Sequence, residues 1–389
     1  MKALTPRRLR LAIVIEHVNR RAGQERVIAE LVSGLANRHD LDLYCFSATD
    51  VPHDQVRVRR LWCPSGSNTF QALWIPLVSA LVIRPRRYDV ILSQGGNCLV
   101  QNFVYAHTSH ALRARTLRRN LDGETWSSAR RLFERLRNCW AVAMERRALR
   151  RCPDRIIAMS HELARDLAHT YGLALEAFQV APLGVDHEVF HPGLRDTLRG
   201  PLRAELGVSE GEVLLLFAGG LWVGKGLPLV IEALAQVEDP RVRLVVVGRG
   251  DEGAFGELAR RLGVGHRVRF LGVTDQIQRY YAAADALVFP TRIEGFALVM
   301  AEAAACGLPL ITTRTGDTEV LFPDGECGIL VEPRVEEIAA AIRRMAADPE
   351  LRARMGERAH QAARELTWER HNQLVEGFLL RKTAEGAEQ

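Results

Sequence analysis

The distribution of apolar and polar positions predicts two consecutive sets of strands and helices. Short apolar runs typical of buried parallel strands alternate with longer segments of helical spacing. The predicted strands are 9–15, 41–46, 56–62, 89–93 and 156–159 in the first set, and 213–218, 243–247, 267–271, 286–289, 309–312 and 328–331 in the second. The predicted helices include 24–36, 72–83, 161–171 (with Ser160 as N-cap) and 368–380. This alternation predicts an α/β protein whose parallel sheets are covered on both faces.

A stretch rich in proline and glycine, between Pro182 and Gly211, separates the two sets. We therefore predict an N-terminal Rossmann-like domain at 1–186 and a second, C-terminal one at 187–365. A helix within 366–389 is expected to pack back towards the N-terminal domain. Ligands of such doubly wound sheets bind beyond the carboxyl ends of the strands. With two domains, the cleft between them is the expected site.

The composition is that of an ordinary globular protein. Of 389 residues, 47% are hydrophobic and 25% charged, which argues against disordered, collagen-like and coiled-coil classes. The seven cysteines are scattered and never form a Cys-x-x-Cys pair, so neither a disulfide scaffold nor a metal site is expected. No secretory signal is visible, and the longest apolar stretch, 72–83, is too short to span a membrane. We expect a cytoplasmic protein.

The positive charge is concentrated in the first half of the chain. The net charge is +5 in total, from 52 basic and 47 acidic residues, and it divides into +10 for 1–190 and −5 for 191–389. The segment 113–151 holds 12 arginines, four acidic residues and the aromatic residues Trp126, Phe133 and Trp140. It predicts a basic amphipathic helix that docks on the anionic inner face of the cell membrane. The alternative is a helix that packs its apolar stripe on the core; no nucleic-acid-reading motif accompanies the charge.

The segment Pro290–Glu302 carries the sharpest chemical pattern. It follows a predicted strand and opens an apolar helix, whose free N–H groups and dipole make an anion site. If Glu294 and Glu302 share that helix, they stand about 12 Å apart. This separation suits two ends of one extended ligand better than a carboxylate pair acting on one bond. The alternative makes Glu294 a helix-start acid and Glu302 a solvated surface residue.

A second pattern is the glycine-rich turn Phe217–Leu227, which presents Lys225 at the start of the next helix. Glycines let the backbone approach a phosphate, and the ammonium group supplies compensating charge. The Gly-Lys-Ser/Thr ending of a Walker loop is absent. Taken alone, a lysine such as Lys225 would more often be a solvated surface residue.

Together these segments resemble the family-4 retaining glycosyltransferases of the GT-B fold, in which two Rossmann-like domains face a central cleft. The resemblance extends along most of the chain. It also includes Ala22–Arg26, Pro182–Asp186, Val247–Gly250 and Thr367–Glu369. It implies an N-terminal domain that binds the acceptor and a C-terminal domain that binds a nucleotide-sugar donor, expected to be a UDP-sugar, without a metal or other cofactor.

The resemblance also implies residue roles. Lys225 would stabilise the charge growing on the diphosphate leaving group, and Glu294 would bind hydroxyls of the donor sugar. Glu302 would accept hydrogen bonds from the ribose. The other donor-binding positions implied are Gly23, Gly220, Gly295, Phe296, Ala297 and Leu298.

Three positions depart from the family pattern. Gly220 stands where an arginine is usual, so that Arg249, Arg20 or Arg21 would have to replace that cation. The family usually has two glycines before the first helix, and Ala22 stands in place of the first of them. Leu183 stands in place of an asparagine of the linker.

His107 follows a strand of the N-terminal domain, at a place where the family has a polar residue near the reacting sugar. The resemblance makes His107 a candidate catalytic residue; a buried structural histidine is the equal alternative. His110 is the weaker candidate.

The function expected is hexosyl transfer with retention to a hydroxyl of a cell-envelope, lipid-linked or lipopolysaccharide-type acceptor. Alternatives are a soluble small-molecule acceptor, or an inert basic membrane-binding protein with this fold. The segment Gly248–Gly253 matches the dinucleotide fingerprint Gly-x-Gly-x-x-Gly. It lies in mid-domain, however, and Asp251 and Glu252 place negative charge where a pyrophosphate would sit.

Overall fold

The computed structural model describes residues 8–20, 23–114 and 128–386. The chain forms two compact units: unit 1 comprises residues 1–183 and 368–389, and unit 2 comprises residues 184–367. Each unit is built around its own parallel sheet. Within the described ranges, no helix has the length and apolar character needed to cross a bilayer.

Unit 1 contains a seven-stranded parallel sheet with the order β5-β3-β1-β6-β7-β8-β9. Its strands are β1 (Arg10–Val14), β3 (Asp40–Cys45), β5 (Val56–Arg60), β6 (Val90–Gln94), β7 (Phe103–Ala106), β8 (Ile156–Ala158) and β9 (Phe178–Val180). A separate two-stranded parallel sheet joins β2 (His17–Val18) to β4 (Ser47–Ala48). The central strands are buried throughout, as a sheet covered on both faces requires.

The helices of unit 1 follow from local sequence signals. They are α1 (Gly23–Leu35), α2 (Asn68–Val82), α3 (Ser128–Arg151), α4 (His161–Tyr171) and α13 (Trp368–Glu385). For α4 the predicted bounds are confirmed, because the Ser160 hydroxyl accepts a hydrogen bond from the amide of Leu163 and Gly172 ends the helix in the left-handed conformation.

The last helix, α13, belongs to unit 1 although it follows unit 2 in the chain. His371 bridges two parts of the unit: its Nε2 lies 3.1 Å from the Tyr105 hydroxyl and its Nδ1 3.0 Å from the carbonyl oxygen of Pro182. The Asn372 amide donates to the carbonyl of Glu30 in α1 at 3.3 Å. These contacts position α13 against β7, the end of the linker and α1.

Unit 2 contains a six-stranded parallel sheet with the order β12-β11-β10-β13-β14-β15. The strands are β10 (Val213–Ala218), β11 (Val242–Val247), β12 (Val268–Phe270), β13 (Ala286–Phe289), β14 (Leu310–Thr312) and β15 (Gly328–Leu330). The helices are α5 (Leu194–Glu205), α6 (Leu227–Ala235), α7 (Glu252–Arg261), α8 (Ile277–Ala283), α9 (Leu298–Ala305), α10 (Thr318–Leu321), α11 (Val335–Ala347) and α12 (Pro349–Ala363).

The predicted strands agree with the observed ones to within two residues at each end, and β10 and β13 agree at both ends. Strands β2, β4 and β9 were missed because they have only two or three residues, and β9 also lies at the sheet edge with glutamine in its middle. Strand β7 was anticipated only as the strand before His107. Part of the basic segment 113–151, residues 115–127 with Trp126, lies outside the described residues, as does the side chain of Phe133.

The packing of α12 against the turn at Gly307 predicts that one change, glycine to alanine, has opposite effects on stability at two helical positions. A Cβ atom at Gly356 would overlap the carbonyl oxygen of Gly307, whereas Gly256 in α7 has nothing within 4 Å of that position. Gly256→Ala should raise the free energy of unfolding by about 1 kcal/mol, since alanine favours helix. Gly356→Ala should lower it by about 2 kcal/mol, because packed backbone has to move. Urea unfolding measures both, and a stabilising Gly356→Ala would contradict the packing.

Candidate functional site

The strand order of unit 2 creates a switch point between β10 and β13. The chain runs outwards from β10 to β11 and β12, then returns to β13 on the other side. The loops that follow β10 and β13 therefore diverge at one edge of the sheet, where ligands of doubly wound folds bind. They contain the two patterns that the sequence singled out, Gly219–Gly226 and Pro290–Ala297.

Glycines allow these loops to approach each other. Gly226 has a φ of 85°, and a Cβ atom there would overlap the carbonyl oxygen of Pro290. Gly248 has a φ of 131°, and a Cβ atom there would overlap the carbonyl of Gly219. At both positions only glycine combines the left-handed conformation with the backbone contact. The loops after β10, β11 and β13 are thereby held together.

Trp222 anchors the glycine-rich loop. Its ring is buried between Phe255 and Phe270, and its Nε1 donates to the carbonyl of Gly219 at 2.9 Å. A Cβ atom at Gly250 would overlap the Trp222 ring. The dinucleotide-like segment therefore has a packing role, and Asp251 caps α7 by accepting from the amide of Ala254 at 2.9 Å. The Asp251 carboxylate thus already binds an amide at the start of α7, where the dinucleotide fingerprint would require free amides for a pyrophosphate.

Lys225 and Glu294 form an ion pair across the switch point, although 69 residues separate them in the sequence. Both side chains are mostly buried, and the ammonium group also lies 5.7 Å from the centre of the Phe289 ring. The pair thus places one cation and one hydrogen-bond-accepting carboxylate next to each other. A diphosphate and a sugar hydroxyl are ligands that such a pair suits.

Glu294 lies in a loop, because α9 begins only at Leu298. The separation of about 12 Å between Glu294 and Glu302, which assumed a continuous helix, was therefore based on a wrong helix start. Gly295, Phe296 and Ala297 form the end of this loop, and Ala297 provides no side-chain cap for α9. The first N–H groups of α9 are therefore available to an anion.

Glu302 is a buried residue of α9, with 5% exposure. Its Oε2 accepts a hydrogen bond from the hydroxyl of Tyr281 at 3.0 Å. The alternative that made Glu302 a solvated surface residue is therefore wrong. Its role in binding ribose stays a prediction.

Gly220 has room for a side chain, since a Cβ atom there would meet only the carbonyl oxygen of Arg249, at 3.6 Å. Arg249 is the second residue after β11 and is exposed, and its side chain has no ion pair with any described residue. Arg20, by contrast, pairs with Glu30, and Arg21 lies outside the described residues. Of the three arginines considered, Arg249 is the one next to Gly220.

Unit 1 has its own switch point, between β1 and β6, and a cavity of about 160 Å³ lies there. Most of its polar lining comes from residues at or after strand ends and from the start of α1, and α3 adds two charged residues. The polar lining residues are Glu16, Gln24, Gln94, Asn97, His107, Thr108, His110, Arg137 and Glu145. The cavity has roughly the volume of five molecules of liquid water, so it suits a small ligand.

Glu16 is one of two carboxylates that line this cavity, the other being Glu145 of α3. Glu16 follows β1, and its Oε2 accepts from the Asn97 amide at 2.7 Å. Burial raises the pKa of Glu16 above its ordinary value, although the hydrogen bond from Asn97 opposes the shift. Helix α3 closes the cavity at Trp140 and Met144, where a Cβ atom at Gly96 would lie 2.6 Å from that of Met144.

His107 is buried beside this cavity and stacks on Tyr105, with ring centres 4.4 Å apart. Neither ring nitrogen has a hydrogen-bond partner among the described residues. Burial, with a smaller effect of nearby His371, lowers the pKa of His107 to about 3. Burial and the charges of Arg113 and Arg137 lower the pKa of His110 to about 4. Both imidazoles are therefore neutral near pH 7.

The structure brings Lys225, Glu294 and the start of α9 together in unit 2, with Gly220 in the same loop as Lys225. Gly23, as the first residue of α1, and His107 belong to unit 1. In the ranges that the structure covers, no three histidine, cysteine, aspartate or glutamate side chains are grouped to hold a metal ion.

Sequence reasoning missed the buried carboxylate Glu16 and the amides of Gln94 and Asn97. One signal was present, since each follows a predicted strand at its carboxyl end. A second signal concerns Lys225. The chain has only three lysines among its 52 basic residues, at positions 2, 225 and 382, so a lysine in a glycine-rich turn is unusual in this chain.

Two family models match the chain, one in each half. Residues 21–189 match the model described as Glycosyltransferase Family 4, and residues 199–362 match the model described as Glycosyl transferases group 1. The first half of the chain is therefore similar to family 4 glycosyltransferases and the second half to group 1 glycosyltransferases.

Curated relatives with a similar sequence are also named glycosyltransferases. The D-inositol 3-phosphate glycosyltransferase of Nocardiopsis dassonvillei is 37% identical over 233 residues, which cover 56% of this chain and 53% of the relative. The chain thus matches about half the length of such relatives.

Two crystal structures show the same fold. WaaG, a glycosyltransferase involved in lipopolysaccharide biosynthesis, has a TM-score of 0.76 and 22% identity, and covers 95% of this chain and 98% of its own. Anabaena HepE in complex with UDP and glucose has a TM-score of 0.74 and 20% identity, with the same two coverages. The two parallel-sheet Rossmann-like units are those of the GT-B fold.

The lowered pKa of His107 predicts a loss of stability in acid. Between pH 6.5 and about 3 the unfolded chain binds a proton at this residue that the folded chain does not, so stability falls as the pH falls. From pH 7 to pH 5 the wild type should lose about 2 kcal/mol more free energy of unfolding than His107→Phe. Urea unfolding at both pH values measures the difference. The exposed His53 provides the control His53→Phe, and an equal loss in all three proteins would contradict the prediction.

Proposed function

We propose that this protein transfers a hexosyl group, with retention, from a nucleotide-diphosphate sugar to a hydroxyl of a small polyhydroxylated acceptor. The observation that supports this best is the Lys225–Glu294 pair at the switch point of unit 2, in the half that is similar to group 1 glycosyltransferases. It joins a cation for a diphosphate to a carboxylate for sugar hydroxyls. A UDP-sugar is the proposed donor.

In the proposed reaction, the bond between the anomeric carbon and the diphosphate oxygen breaks as the acceptor oxygen attacks from the same face. The diphosphate leaves with the bonding electron pair and takes the proton of the acceptor hydroxyl. Lys225 and the N–H groups at the start of α9 stabilise the negative charge as it grows. The diphosphate offers Lys225 a more highly charged partner than Glu294, which is then free to accept from the sugar hydroxyls.

Arg249 is the proposed second cation of the donor site. It lies beside Gly220, in the loop that Gly248 packs onto Gly219. An exposed arginine without an ion pair to a described residue has no local charge to neutralise, so it can turn to a diphosphate. Glu302 is proposed to hold the ribose, and no resident cofactor is needed for these roles.

The cavity of unit 1 is the proposed acceptor site. Its amide and carboxylate side chains donate and accept hydrogen bonds in the way that several hydroxyl groups require. Neutral His107, with both ring nitrogens unpartnered among the described residues, lies where it could bind such a ligand. The names of the curated relatives, D-inositol 3-phosphate glycosyltransferases, favour a free small molecule over the lipid-linked or envelope acceptor expected from the sequence.

Removing the cation should abolish most transfer without unfolding the protein. Lys225→Met should lower kcat about 100- to 1000-fold, because the leaving group loses its main stabilising charge. Lys382→Met, which removes the same side chain in α13 of unit 1, serves as the matched control. The assay is release of UDP from a UDP-sugar in the presence of acceptor, with thermal unfolding as the test of folding.

Donor binding provides an independent measurement. Saturating UDP should raise the Tm of the wild type and of Lys382→Met by a few degrees, and that of Lys225→Met by less. Arg249→Gln should also lower kcat and the UDP-induced rise in Tm, in each case by less than Lys225→Met does. Wild-type kcat in Lys225→Met would refute the donor site, and wild-type behaviour of Arg249→Gln would refute the second cation.

The acceptor class is tested by comparing free polyols with lipid-linked ones. We expect transfer to inositol, an inositol phosphate or a related free polyol, with the anomeric configuration of the donor kept in the product. Asn97→Ala removes the partner of Glu16 and should raise the KM for the polyol about tenfold. The KM for the donor should not change. Transfer only to lipid-linked acceptors would contradict this acceptor and restore the envelope alternative.

A further inference from the structure

Helix α2 is a surface helix without a single charged residue. Its 15 residues, Asn-Thr-Phe-Gln-Ala-Leu-Trp-Ile-Pro-Leu-Val-Ser-Ala-Leu-Val, contain only four polar side chains besides the tryptophan. One face is buried through Gln71, Ile75, Val78 and Ser79. A surface helix of a globular protein normally carries charged residues on its opposite face.

The opposite face of α2 is apolar and exposed. Phe70, Leu77 and Leu81 lie three to four residues apart with Trp74 between them, so they form one stripe along the helix. Leu77 is 43% exposed and Leu81 84%. Exposed single apolar residues are common, but a contiguous stripe of large ones marks an interaction surface.

Trp62 extends this stripe at the amino-terminal end of the helix. It is 68% exposed, its ring centre lies 6.1 Å from that of Trp74, and its carbonyl oxygen accepts from the Trp74 Nε1 at 3.0 Å. Trp74 in turn stacks on Phe70 at 5.8 Å. The aromatic rings therefore form one connected, partly exposed cluster.

Three exposed arginines follow the helix. Arg84, Arg86 and Arg87 lie within six residues of Leu81, and their side chains have no ion pair with any described residue. No acidic residue occurs between Asp54 and Asp89. The end of the apolar stripe is therefore uniformly positive.

We propose that this surface, the α2 face (Trp62, Phe70, Trp74, Leu77, Leu81 and Arg84–Arg87), docks on an anionic lipid bilayer. Tryptophan, leucine and flanking arginine are the residues that interfacial helices place at the level of the headgroups. The arginine charge is complementary to anionic headgroups, which a neutral protein partner would not require. The helix lies on the surface of unit 1, so docking needs no change in its fold.

The basic helix α3 is a weaker candidate for the same contact. Trp140 and Met144, two of the apolar residues expected to face lipid, line the cavity of unit 1. Towards its end α3 buries Ala148 and Leu149 in the core. Leu136 and Ala143 of the same stripe are exposed, but Trp140 and Met144 are half-buried. The described part of α3 therefore presents fewer large exposed apolar side chains than the α2 face.

Cosedimentation of the full chain with vesicles tests the proposal. The wild type should bind vesicles that contain phosphatidylglycerol and bind pure phosphatidylcholine much more weakly, and binding should fall as salt rises. Leu81→Gln should weaken binding about tenfold, since an apolar side chain no longer enters the interface. Replacing Arg84, Arg86 and Arg87 together by glutamine should weaken it about fivefold per arginine at low salt.

Two matched controls separate the α2 face from general effects. Val320→Gln changes an equally exposed apolar residue in unit 2, and the triple change of Arg354, Arg358 and Arg364 to glutamine removes the same charge from α12 and its end. Both should bind vesicles like the wild type. Thermal unfolding shows whether each variant is folded, and the measurement needs neither donor nor acceptor.

Three results would overturn the proposal. Loss of binding on Arg135→Glu and Arg146→Glu, with wild-type binding in the α2 variants, would place the contact on α3. Absence of binding by the wild type to every vesicle would exclude a bilayer. Self-association that disappears in Leu81→Gln, seen by analytical ultracentrifugation, would make the surface an interface between copies of this chain.

Discussion

The close approach of three backbone segments at one edge of the unit 2 sheet is the constraint on which the candidate donor site depends. Gly226 lies against the carbonyl of Pro290, and Gly248 lies against that of Gly219. These contacts leave no room for a Cβ atom, and they bring the loops after β10, β11 and β13 within reach of one another. The Lys225–Glu294 pair and the position of Arg249 beside Gly220 follow from them.

Both units place polar residues at the switch point of a parallel sheet, but the chemical types of these residues differ. In each, the strand order reverses beside the first strand, and polar residues follow the strands on both sides of the reversal. Unit 2 supplies a cation, a carboxylate and the start of a helix, which suit a charged diphosphate. Unit 1 supplies Glu16, amide side chains and neutral imidazoles, which suit hydroxyl groups. The proposed division into a donor domain and an acceptor domain rests on these two sets of side chains.

A buried polar group without a hydrogen-bond partner lowers the free energy of unfolding, and the cavity of unit 1 contains such groups. Both nitrogens of His107 lack a partner among the described residues, and burial keeps its imidazole neutral down to a pKa of about 3. Such a group lowers stability by about 1–3 kcal/mol unless something binds it. A cavity lined by partly satisfied polar side chains is therefore better explained by a ligand than by folding. The exposed apolar side chains of α2 are also unfavourable in water. Contact with an apolar interface would cover them.

The sequence by itself determined the two parallel sheets, because runs such as Val213–Ala218 have apolar residues at every position and fit only a strand covered on both faces. It also located Lys225 and Glu294, since glycine-rich turns and helix starts have local signatures. Only the tertiary structure decided that these two residues meet across 69 positions, that α9 starts at Leu298, and that Glu302 is buried. It alone distinguished the covered face of α2 from the exposed one. Local sequence sets the conformation of each segment, but burial and pairing depend on which segments pack against it, and those contacts lie far apart along the chain.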